Sequence, residues 1–222
     1  MTYVYRIEPK KRSFFEGFSV NVNLILIDII AFILFGILIK IGILSIDDIA
    51  IKPANIFQGE YLWTFLTSMF MHGGFFHLFA NMISLLFIGG LIERLIGRKR
   101  YFWFYMISGL VAGGSFVLLS LVFPQDINMY AVGASGALFG IAGLMVILTP
   151  NLPLYIMFIP IPIKAKYAIP GLLAVLWGIS ITANIGIGNT AHLGGLVAGL
   201  VYGIYLRKKY KRKTAMISKH FS

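Results

Sequence analysis

The sequence predicts an all-α fold of the polytopic membrane class: a six-transmembrane-helix bundle with a half-embedded loop between helices one and two. Three observations lead there. The 222 residues are 59% hydrophobic and only 12% charged, with a mean hydropathy of +0.87, whereas soluble domains carry about twice that charged fraction. Six apolar segments, 20–44, 75–96, 101–122, 132–149, 165–183 and 189–206, meet or approach the ~17–25 residues that a spanning helix needs. Finally, 17 of the 19 lysines and arginines fall before the first segment, after an even-numbered one, or in the tail.

Taken in order, residues 1–19 form a short basic segment (Arg6, Lys10, Lys11, Arg12) ahead of an apolar run of roughly 25 residues. That run is long enough to span and lacks a small-residue cleavage pattern after it, so it is expected to stay attached as the first helix. Residues 45–74 make a long connection that is far from polar, with Phe57, Tyr61, Leu62, Trp63, Phe65 and Phe70 among others. Aromatic residues at this density anchor an element half-sunk in a leaflet. Segments four and six are short and glycine-rich, as suits helices buried among others. The Pro-rich stretch 150–162 cannot continue a helix. Lys and Arg mark the cytoplasmic side. The pattern therefore implies six spans, with 1–19 and the basic tail 207–222 cytoplasmic and 20–206 forming the transmembrane domain.

The net charge of +11 sits beside apolar spans rather than in a nucleic-acid motif, so the expected surroundings are membrane lipid, not nucleic acid. The absence of cysteine excludes disulfides and thiolate ligands. His72 and His77 are five residues apart, not four, and no carboxylate or thiol accompanies them at depth, so no metal and no cofactor are expected.

Polar groups inside spans are costly and mark function by default. Four matter: His77, Asn81, Ser135 and His192. His77 and Asn81 are four apart and share one helix face. At about 1.5 Å rise per residue, Asn81 lies about 22 Å above Ile96, Ser135 about 20 Å above Leu148, and His192 about 21 Å above Leu206. Three polar groups on three helices thus share one level, roughly 10 Å below the outer boundary of a ~30 Å core. Gly136 and Gly140, and then Gly195, Gly199 and Gly203, have the four-residue spacing that lets helix backbones approach. In Gly133-Ala134-Ser135-Gly136 the serine is open to two readings, a packing seam or a nucleophile with His192 as its base. His192 alone reads equally as a donor to a backbone carbonyl, and His77 with Asn81 as an interhelical clamp. If there is chemistry, His77, the Asn81 amide and the Ser135 backbone N–H are the candidate oxyanion donors. Asp28 lies about 12 Å from the inner face, below the Ser135 level, so any such chemistry is a Ser–His dyad.

These residues resemble a known family. Trp63 through Asn81, followed by Glu93 and Gly97-Arg98, is similar to the rhomboid intramembrane serine proteases. Gly133-Ala134-Ser135-Gly136 is similar to their GxSG motif, and Ala191-His192-Leu193-Gly194-Gly195 with Gly199 to their AHxxGxxxG helix. The resemblance implies a six-helix prokaryotic form, expected in the plasma membrane, around a water-filled cavity open to the outer side. It implies Ser135 as nucleophile, His192 as base and then acid, and His77, Asn81 and the Ser135 amide around the oxyanion. His72 would share the cavity, and helix five with Trp177, together with loop 184–190, would gate and cap it. Two positions depart from the common pattern. Thr64 stands where Arg often follows Trp, and Phe139 where a Tyr often stacks on the histidine. The implied function is endopeptidase cleavage of transmembrane protein substrates near the outer face. The rival is a catalytically silent relative that binds transmembrane helices. Substrate identity and oligomeric state are not implied.

Overall fold

A computed structural model describes residues 19–155, 161–183 and 185–221; the basic N-terminal segment up to residue 18 and Asn184 of the expected cap loop lie outside them. Helix α1 (Val20–Lys40) begins where Ser19 accepts from the Val22 N–H at 3.2 Å and Glu93 accepts from the Val20 and Asn21 N–H groups, each at 2.9 Å. Three of the orphan amides of a helix start are satisfied in this way. Residues 75–96 run as one rod in three parts: α4 (Phe75–Ser84), a π-helical turn (Leu85–Gly89) and α5 (Gly90–Ile96). Asn21 donates to the Leu85 carbonyl at 2.7 Å and accepts from the Tyr101 hydroxyl at 2.6 Å, which pins α1 to that turn and to α6 (Arg98–Leu119).

The loop 41–74 carries two short helices, α2 (Pro53–Phe57) and α3 (Thr64–Thr67). Its inward residues Ile49, Ala50, Ile51, Ser68 and Met69 are buried, while Phe57, Leu62, Trp63 and Leu66 are exposed. A loop apolar on both sides is one that meets protein on one face and lipid on the other. Then come α7 (Ser135–Leu148), a two-residue hairpin of β1 (Pro153–Leu154) with β2 (Ile163–Lys164), and α8 (Ala165–Thr182). The chain closes with α9 (Asn189–Lys209) and α10 (Lys211–His220). The hairpin falls in the Pro-rich connection. Helix α10 makes the expected basic tail a structured element.

Helix α7 is the centre of the bundle. It packs most extensively on α9, and α6 covers both. The seam is backbone against backbone: a Cβ on Gly195 would fall on the Gly136 carbonyl, and one on Gly199 on the Gly140 carbonyl. Side-chain-free contact of this kind replaces the hydrophobic drive that lipid removes. The outward faces of α1, α4 and the π-helical turn are apolar, with Ile30, Ile33, Ile37, Phe76 and Phe87 exposed.

The chain is a membrane protein, but six crossings are not carried by length and composition. Four described helices are long and apolar enough: α1, residues 75–96, α6 and α8. Helix α7 has 14 residues, about 21 Å at 1.5 Å per residue, short of a ~30 Å core. Helix α9 is long enough but carries Asn189, Thr190, His192 and four glycines. Helix α7 is buried along most of its length, whereas α9 keeps Val197, Val201 and Ile204 exposed.

Candidate active site

Ser135 is the first residue of α7 and His192 lies in the first turn of α9. The glycine seam brings them together, with Ser135 Oγ 2.8 Å from His192 Nε2. His192 is 8% exposed, and its Nδ1 has no partner among the described residues. Among the described residues no carboxylate completes a triad. Phe139, one turn below Ser135, stacks on the imidazole with centroids 4.6 Å apart and planes at 23°.

The turn before α7 is stitched to the long loop. Ile51 and Ala131 exchange backbone hydrogen bonds at 3.1 and 2.8 Å, and the Gly133 N–H donates to the Ser68 carbonyl at 2.8 Å. Gly133 has φ +123°, a conformation that excludes most side chains, and a Cβ there would meet the His77 ring within 2.9 Å. The histidine therefore lies beside the serine because residue 133 is glycine. His77 Nδ1 accepts from the Gly73 N–H at 3.3 Å, which leaves the ring proton on Nε2, the nitrogen beside Gly133. Asn81 is buried and donates to the His77 carbonyl at 2.8 Å, with its second amide hydrogen uncommitted. The first N–H groups of α7, that of Ser135 among them, have no acceptor within the helix.

His72 is 1% exposed, with its ring edge-on to His77 at 5.2 Å. Its Nε2 accepts from the Ala134 N–H at 3.4 Å. Burial, reinforced by the nearby His77, pushes the His72 imidazole down to about 4, so it stays neutral. Trp177 packs edge-on to Phe123 at 5.9 Å, and both line a cavity of about 280 Å³ that also reaches Asn189 and Thr190. Thr64 is fully buried and its hydroxyl donates to the Tyr61 carbonyl at 2.7 Å, a local tie only. The described residues contain no group of three metal-ligating side chains.

Two features were not singled out from the sequence. Asn189, one turn before His192, has a buried Oδ1 without a partner among the described residues; its signal was the i, i+3 spacing. Asp126 accepts from the Thr190 hydroxyl at 3.1 Å and fastens the start of α9. Burial raises its carboxyl, and the Thr190 hydrogen bond pulls it partly back.

The family model for the rhomboid domain matches residues 59–209, which include all of these groups. The chain belongs to the rhomboid family. It is 37% identical over 164 residues to RHOMBOID-like protein 5 of Arabidopsis thaliana, covering 72% of this chain and 50% of that protein. To RHOMBOID-like protein 6, mitochondrial, from the same plant it is 36% identical over 162 residues, 71% of this chain and 48% of the relative. Inactive RHOMBOID-like protein 8, also of Arabidopsis thaliana, is 33% identical over 148 residues, 64% of this chain and 37% of the relative. The rhomboid chain thus spans half or less of the length of these relatives. One of them is named as mitochondrial, so the expectation of a prokaryotic plasma membrane draws no support from them.

Proposed function

We propose that this rhomboid is an intramembrane serine endopeptidase that hydrolyses peptide bonds in or next to transmembrane segments of other membrane proteins. The observation that carries the reading is the 2.8 Å contact between Ser135 Oγ and His192 Nε2. Ser135 Oγ attacks the carbonyl carbon as its proton passes to His192 Nε2, and His192 returns that proton to the leaving amine. Water then attacks the acyl-enzyme through the same histidine. The oxyanion is received by the Ser135 N–H at the positive end of α7, by His77 Nε2–H and by the free Asn81 amide hydrogen. Phe139 holds the base, and Gly133 keeps the space around the hydroxyl open, while Gly136 lets α7 close on Ala112 of α6.

In this reading the chain crosses six times, with both termini on the basic side and the dyad near the opposite face. Substrates carry helix-weakening residues at the cleaved bond, because a hydrogen-bonded helix hides its carbonyls. Helix α8 with Trp177 and the loop after it admit the substrate. Detergent-solubilised protein should cleave a model transmembrane substrate and be labelled by a fluorophosphonate. Both activities should vanish in Ser135→Ala, and labelling should fail in His192→Ala. Undiminished cleavage by Ser135→Ala protein would sink the proposal. Wild-type protein that binds the substrate without cleaving or being labelled would establish the silent, helix-binding alternative instead.

A further inference from the structure

We infer that the basic end of the bundle holds a binding site for an anionic phospholipid, in the groove between α10 and the ends of α7 and α9. Helix α9 stops at Lys209, Tyr210 breaks the helical path (φ −121°, ψ 46°), and α10 restarts at Lys211 and turns back over the end of α7. The Thr214 hydroxyl donates to the Tyr210 and Lys211 carbonyls at 3.1 and 3.2 Å and secures the turn. The groove under α10 has a volume of about 760 Å³, the size of a pocket for a small amphiphile.

Its chemistry is divided. Arg207, Lys208, Lys211 and Lys219 are among its lining residues, and so are the apolar Ile147 and Ile204. Lys211, Ala215 and Lys219 recur every four residues, so α10 offers one face to the groove. Ile204 is 45% exposed and continues the apolar surface of α9 through Val201. A cationic rim joined to an apolar wall fits a phosphate head group whose acyl chains lie along a transmembrane helix.

Among the described residues, the four groove cations have no carboxylate partner. The segment 207–219 holds seven Lys or Arg and no Asp or Glu. The described carboxylate at this end is Glu93, which is buried, caps α1 and has Arg98 Nε at 3.8 Å. Lys209 donates to the Tyr205 hydroxyl at 2.7 Å and Arg100 to the Tyr210 hydroxyl at 3.1 Å. The four groove cations have no such contact among the described residues. This excess positive charge faces the membrane surface, where anionic head groups supply the counter-charge. The site does not depend on whether the protein cleaves anything.

The test is native mass spectrometry of the full chain in neutral detergent, titrated with dioleoylphosphatidylglycerol or dioleoylphosphatidylcholine. The glycerol lipid should be retained selectively, and the double variant Lys211→Gln/Lys219→Gln should weaken retention by about tenfold or more. Lys164→Gln/Lys166→Gln removes equal charge from the same end but outside the groove and should leave retention unchanged. Equal retention of the two lipids overturns the proposal, as does equal loss in both double variants. Displacement of the bound lipid by millimolar glycerol phosphate also overturns it, since the apolar wall would then contribute nothing.

Discussion

The Phe139 ring lies against the His192 imidazole, 4.6 Å between centroids and 23° from parallel. Nδ1 of His192 lacks an acceptor among the described residues, so in the proposed dyad stacking takes the orienting role of a triad's carboxylate. Aromatic pairs of this geometry contribute about 0.5–1.5 kcal/mol beyond burial. Phe139→Leu should therefore lower kcat by roughly two- to tenfold with KM little changed, and Phe139→Tyr should keep the wild-type rate. Steady-state cleavage of a transmembrane substrate checks both. A change confined to KM would mean that the ring serves substrate binding rather than the base.

Two glycines separate helix packing from helix propensity. A side chain on Gly199 collides with the Gly140 carbonyl, a backbone atom that cannot swing away, whereas Gly178 in α8 has nothing within 4 Å of its would-be Cβ. Gly199→Ala should lower stability by about 1–3 kcal/mol or more and separate Ser135 from His192, so fluorophosphonate labelling should fall with it. Gly178→Ala should be neutral or stabilising by up to about 1 kcal/mol, because alanine is the better helix former. Thermal unfolding in detergent distinguishes them, and equal midpoints would contradict the seam.

His72 makes stability depend on pH. Burial depresses its imidazole from 6.5 to about 4, so below pH 6.5 the unfolded chain takes up a proton that the folded chain does not. Stability is then fully present above about 6.5 and is lost as pH falls towards about 4, at up to about 1.4 kcal/mol per pH unit for this one group. The unfolding midpoint, followed between pH 7 and pH 4, should fall, and His72→Gln should flatten the fall. An identical slope in the variant would assign the dependence to other groups.

What the sequence disclosed of this site came from regularity. A constant rise per residue was enough to put Ser135 level with His192, and glycine spacing was enough to let their helices touch. Contacts between distant segments carry no such signal. Asn21 meets Tyr101 across 80 residues and Glu93 caps α1 across 73; in sequence these are single polar letters beside apolar runs. The π-turn at Leu85–Gly89 lies within an uninterrupted apolar stretch and changes no periodicity strongly enough to be read. The number of crossings is harder to read for a related reason. An apolar run reports burial, and α7 is buried by protein as much as by any lipid.

Asp28 tests that difference between burial in protein and burial in lipid. It faces inward from α1, is fully buried, and neither carboxylate oxygen has a partner among the described residues; the Tyr105 hydroxyl is buried and unpartnered as well. A carboxyl in such a place costs free energy that no hydrogen bond returns. Asp28→Leu, similar in size and apolar, should raise stability by about 1–3 kcal/mol, and Asp28→Asn should raise it less, since the amide remains unsatisfied. Unfolding midpoints of the three proteins in one detergent give the order Leu above Asn above Asp. The reverse order requires that water or a cation occupies the space between α1 and α6 and satisfies the carboxylate. Dependence of the wild-type midpoint on sodium or potassium concentration then separates those two occupants.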